Sequence, residues 1–115
     1  MPKDITQASV EPDVALFLNL FQAGEYHAAH DALEPRWRLT RSHTMQGLIQ
    51  LAVGCYHASR GNLYGARVLW ARALAHLESA DPADDEGLCL PPIRAWLATA
   101  PQALPPDGIA ISRRS

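Results

Sequence analysis

Histidines and carboxylates gather in one short stretch of the chain, GEYHAAHDALEPRW, residues 24–37. His30 and Glu34 stand four positions apart, so on a helix they share a face and imidazole can meet carboxylate directly. Two kinds of chemistry use such a pair. In a metal-free site, Glu34 orients the His30 ring as a base, and Arg36 or Arg67 holds an anion nearby. In a metal site, His30 and Glu34 are ligands of a divalent ion, and His57 or His27 completes a three-ligand set. The stretch HDALE is not HExxH, so the metal reading rests on ligand type rather than on a signature. No glycine-rich phosphate loop, nucleophile elbow or cysteine dyad accompanies the metal-free one. The third reading is purely architectural: a satisfied polar network that fixes the register of two helices.

Two helices must position these groups. At about 100° per residue, Tyr26, Ala29, Leu33 and Trp37 form one stripe of a helix spanning about Glu25 to Arg38. His30 lies within about 60° of the stripe's centre, Glu34 sits at its edge with His27 on the same flank, and Asp31 turns further outward. Pro35 removes one backbone hydrogen bond, so this helix is expected to bend just after Glu34 or to end there. Trp37 reads most simply as core; exposed between Arg36 and Arg38, it would instead suit stacking on a nucleic-acid base. The next helix, Thr44 to Ser59, is apolar over a broad arc that includes Leu48, Leu51, Ala52, Cys55 and Tyr56. Its remaining strip holds Gln46, Gln50 and His57, which face either solvent or the His30/Glu34 edge of the preceding helix. The second arrangement would make a polar pocket of His30, Glu34, Gln50 and His57.

Further helices are expected from about Asp13 to Gln22, stopped by Gly24, and from about Asn62 to Ser79, started after Gly61. A short one fits PPIRAWLATA. The segments GEYHAAHDALEPRW and GNLYGARVLWARAL echo each other, with Gly24 on Gly61, Ala29 on Ala66 and Leu33 on Trp70. That echo follows the helix-pair logic of tetratricopeptide repeats, although two units are too few for an open array. The expected architecture is all-α: a compact antiparallel bundle of two helical hairpins plus a short C-terminal helix. It forms one domain over residues 1–115, with a core at about 13–79. An acidic loop, the short helix and a proline-rich tail extended over the surface fill 80–115, with a turn at Pro106-Asp107-Gly108.

Composition narrows the function classes. A chain of 115 residues with 48% hydrophobic content can bury a core without disulfide or metal. Cys55 and Cys89 form no CxxC pair and read as small core residues in a reducing compartment. The start MPKDITQASVEP lacks the features of a signal peptide, and LIQLAVGCYHA is too short to span a bilayer, so a cytoplasmic protein is expected. A net charge of −2 points to neither membrane nor nucleic acid. The charge is uneven, however: no acid lies between Glu34 and Glu78, while Arg36, Arg38, Arg41, Arg60, Arg67 and Arg72 all do. Either these arginines pair with acids of neighbouring helices, or they form a basic face for an anion.

The stretches FQAGEYHAAHDALEPRW and QGLIQLAVGCYHASRGNLYGA together resemble a family of small all-helical prokaryotic domains, domain of unknown function 309. The resemblance covers about Phe21 to Leu77. His30, Glu34 and Trp37 fall on its first motif, and Gln46, Gly47, Gln50, His57, Gly61, Asn62, Gly65 and Ala66 on its second. The chain departs at Gln22, usually asparagine, at Asp31, usually glutamate, and at Pro35. The shorter Asp31 carboxylate weakens that position as a metal ligand. The resemblance implies an all-α fold and no established activity.

The functional expectation is a small binding or interaction domain built around His30, Glu34, Gln50 and His57, with Trp37, Arg36 and Arg67 as further ligand-binding candidates. The alternative is a hydrolase using His30, Glu34 and His57, with or without a divalent metal. A weaker one is anion or nucleic-acid binding through the Arg36–Arg72 region. A protein or small-molecule partner is expected, and self-association stays open.

Overall fold

Each expected helix forms, and most boundaries follow local chemistry. The computed structural model describes residues 10–104 and 111–114. Helix α1 spans Pro12–Gln22, α2 Tyr26–Thr40, α3 His43–Ser59, α4 Leu63–Ser79 and α5 Pro91–Ala98. Pro12 opens α1, where its missing N–H costs nothing. Ser42 caps α3, its Oγ accepting from the Met45 N–H at 3.2 Å, and Asn62 caps α4, its Oδ1 accepting from the Gly65 N–H at 3.0 Å. Helix α2 runs on through Pro35 to Thr40 rather than ending after Glu34. It stops where Arg41 turns left-handed, φ 54°, and donates its N–H to the Trp37 carbonyl at 2.7 Å.

Two- and three-residue connections join α1 to α2, α2 to α3 and α3 to α4, and each helix packs on its predecessor. Such short links force successive helices to double back as hairpins. The result is an all-α bundle, and α3 with α4 makes its most extensive seam. Val14, Phe17, Leu33, Met45, Leu48, Leu51, Trp70 and Ile93 are among its fully buried side chains. Cys55 joins them, and burial pushes its thiol up to about 12. The α3–α4 seam depends on two glycines seven residues apart. A Cβ on Gly54 would stand 2.6 Å from the Trp70 indole and 3.2 Å from the Ala66 carbonyl oxygen. One on Gly47 would stand 2.7 Å from Leu77 and 3.1 Å from the Ala73 carbonyl oxygen. Both sites let helix backbones approach more closely than any side chain permits.

One feature departs from expectation. The tail does not merely lie on the surface. Strand β1, Leu88–Cys89, pairs antiparallel with β2, Ser112–Arg113, and Ile111 is buried in the core. The expected turn at Pro106-Asp107-Gly108 lies outside the described residues. No helix of the described residues is long and apolar enough to cross a membrane.

Candidate functional site

The first three turns of α2 carry a cluster of histidines and carboxylates. Residues 27, 30, 31 and 34 fall on one flank because three- and four-residue steps return to the same side of a helix. His30 Nε2 stands 3.4 Å from Glu34 Oε2, as the spacing predicts. On the other side of the ring, His30 Nδ1 stands 3.1 Å from Asp31 Oδ1. The remaining Asp31 oxygen, Oδ2, stands 3.4 Å from His27 Nδ1. One ligand atom from each of His27, His30 and Asp31 lies within 4.8 Å of the other two. Exposure falls across the cluster, from 63% for His27 and 58% for Asp31 to 34% for Glu34 and 21% for His30. His30 Nδ1 is itself buried, and the Asp31 contact lacks hydrogen-bond geometry, so this nitrogen has no hydrogen-bond partner among the described residues. An unsatisfied buried nitrogen aimed at a carboxylate and a second imidazole is an arrangement that a cation would satisfy.

Glu34 is held in turn. Arg38 Nη2, one turn further along, stands 3.3 Å from Glu34 Oε1. This leaves Oε2 facing His30, so Arg38, Glu34 and His30 follow one another in a run of charge contacts along α2.

Across the seam the contact differs from the expected one. Helix α3 meets the cluster through Tyr56, whose ring centroid lies 5.4 Å from that of His27. His57, in the last turn of α3, meets the connection to α4: Asn62 Nδ2 lies 3.3 Å from its Nδ1, while the same Asn62 caps α4. Gln50 is half-buried, and its Oε1 has no partner among the described residues. His30 and Glu34 are therefore brought together, while His57 is engaged by Asn62 and Gln50 bonds to neither His30 nor Glu34.

The arginines divide. Arg36 is an internal tie, reaching Asp13 Oδ2 at 3.1 Å, Glu11 Oε1 at 4.0 Å and the Glu86 carboxylate. Burial, the largest effect, raises the Glu86 carboxyl above the ordinary carboxylate value; the Arg36 charge opposes it and Asp84 reinforces it. Arg41 lies over the Trp37 ring at 4.5 Å and Arg60 over Tyr56 at 5.2 Å. Trp37 is half-buried against the core, with its Nε1 unpartnered among the described residues. Arg67 is exposed and lines a cleft of about 540 Å³ between α4 and α5, away from the α2 cluster. Arg36 thus meets acids outside its own helix, as the pairing alternative anticipates, whereas Arg38 pairs within α2 and Arg67 lines a cleft between α4 and α5.

Asp31 and Tyr56 lie at the cluster although the helical periodicity does not single them out. The signal for Asp31 was present: His27 and Asp31 repeat the four-residue spacing of His30 and Glu34. For Tyr56 there was none, since its side chain sits within the apolar arc of α3.

Fold and site together define a small all-α bundle whose second helix presents a histidine–carboxylate cluster. Residues 14–69 match the model of a family described as Domain of unknown function (DUF309), and over that stretch the chain is similar to that family. The family's function is uncharacterised. No curated protein matches the chain.

Proposed function

We propose that this domain is a binding module for a divalent transition-metal ion, held on α2 by His27, His30 and Asp31. The observation that carries this reading is the convergence of two imidazole nitrogens and a carboxylate within 4.8 Å. Imidazole and carboxylate are ordinary ligands of zinc and its neighbours in the first transition row. Glu34 strengthens the set without ligating. Its contact with His30 Nε2 selects the tautomer that keeps a proton there, which frees Nδ1 as an electron-pair donor. Three protein ligands leave a fourth position for water, a partner's side chain or a small molecule. Exposed His27 and Asp31 put that position at the surface, which favours recognition of a partner over reaction in a closed cleft.

The second reading, hydrolysis, draws on the same open position. A metal-bound water there would be acidified by the ion, which is the chemistry such an ion supplies. Either way the first test is thermal unfolding of untagged protein with added zinc, cobalt or nickel. A melting temperature that rises with metal, and does not rise in His27→Gln or Asp31→Asn, supports the reading. No rise with any of the three metals counts against it.

A further inference from the structure

At the opposite end of α3 a second pair of imidazoles meets across the α3–α4 seam. His43 is the first residue of α3 and His76 lies in the last turn of α4. Their Nδ1 atoms are 3.0 Å apart, with ring centroids at 5.2 Å and planes tilted by 31°. Tyr56, which touches the α2 cluster, lies thirteen residues further along α3, or about 20 Å at 1.5 Å per residue. The two sites are independent.

From this juxtaposition we propose that His43 and His76 form a bidentate site for a divalent transition metal, clasping the start of α3 to the end of α4. Geometry selects the class of ion. Two nitrogens 3.0 Å apart, each roughly 2.0–2.1 Å from an ion, subtend a bite of about 94°. That is close to the ~90° of square-planar or octahedral sites, which suit Ni(II) and Cu(II). The ~109° of tetrahedral Zn(II) would need the nitrogens to separate further.

The surroundings suit a cation. The carbonyl groups that end α4 direct negative potential toward His76. On the other strand of the clasp, Ser42 precedes His43 and donates its hydroxyl to Asp84 Oδ2 at 2.8 Å, which pins the start of α3 to the acidic loop. Without an ion, one Nδ1 donates a proton to the other. With the ion bound, both Nδ1 atoms present lone pairs, and the donor ring carries its proton on Nε2 instead. The proton moves between nitrogens of one ring through solvent, so none is gained or lost overall.

The test uses the full-length, untagged chain carrying His27→Gln and His30→Gln, which removes the α2 cluster. Nickel titration by calorimetry should show one bound ion. Adding either His43→Gln or His76→Gln should weaken that binding at least about tenfold, the scale expected when a metal's immediate surroundings are disrupted. Paramagnetic broadening of imidazole signals should reach both residues together. Absence of nickel uptake in this background overturns the proposal. So does uptake that survives both substitutions, or broadening confined to one of the two rings. Far-ultraviolet circular dichroism of each variant without metal separates a lost ligand from a lost fold.

Discussion

Glu34 and Asp31 face opposite nitrogens of the same ring: Glu34 Oε2 is 3.4 Å from His30 Nε2, and Asp31 Oδ1 is 3.1 Å from Nδ1. Arg38 stands 3.3 Å from the other Glu34 oxygen, so the carboxylate that faces His30 is itself paired. A carboxylate behind a ligating histidine raises the ring's basicity and its affinity for metal. The substitution Glu34→Gln keeps the shape and removes the charge. It should weaken metal binding at the α2 cluster by about 10- to 100-fold while leaving unfolding in chelator nearly unchanged. Calorimetric titration measures the first and urea denaturation the second; equal metal affinities would remove Glu34 from the site.

A different substitution probes the scaffold beneath. Adding one methyl group at Gly54 places it against the Trp70 ring and the Ala66 carbonyl, neither of which can yield without moving α4. Gly54→Ala should therefore cost about 1–3 kcal/mol, the range for overpacking a tight core. Gly47→Ala should cost a similar amount, because its Cβ would press the buried Leu77 side chain at 2.7 Å and the Ala73 carbonyl oxygen at 3.1 Å. Denaturant unfolding of the two variants measures both costs, and a variant as stable as the parent would contradict the close approach of α3 and α4 at that glycine.

How much of this was open to inspection in the chain itself depends on the range of the contact. His30 and Glu34 were legible because an i, i+4 pair needs only the helix, and the helix announces itself by Tyr26, Ala29 and Leu33. Asp31 was judged by the direction of its Cα on a helical wheel, yet its carboxylate reaches back to both imidazoles. His57 shares the polar strip of α3 with Gln50, but the tight turn at Gly61 brings Asn62 to it first. A wheel drawn for α3 alone holds no information about that turn. Strands β1 and β2 have two residues each, too few for any period, and their pairing joins Leu88 to Arg113 across a long stretch of chain. Pro35 is a different case. A local rule predicts a bend or an end after Glu34, and the end does not occur: α2 continues to Thr40 with Leu33 buried and Trp37 packed on the core.

The acidic loop supplies a pH test. Burial raises the Glu86 carboxyl above its ordinary 4.5, so the folded protein holds this proton more tightly than the unfolded chain does. The sign follows: Glu86 contributes stability that is complete below pH 4.5 and is lost as pH rises through the elevated folded value. Glu86→Gln cannot titrate and should show a flatter stability curve from pH 4.5 toward neutrality. The constant offset from weakening the tie to Arg36 does not alter that slope. Urea denaturation at half-unit pH steps measures it, and parallel curves for the two proteins would show that Glu86 does not titrate as described.

The most direct measurement of the central claim is titration of the untagged His43→Gln/His76→Gln protein with Co(II), followed by visible absorption. One ion should bind per chain, with ligand-field bands of a nitrogen–oxygen site that disappear in His27→Gln, His30→Gln and Asp31→Asn alike. Bands that persist in all three variants, or no bands at all in the parent, would contradict it.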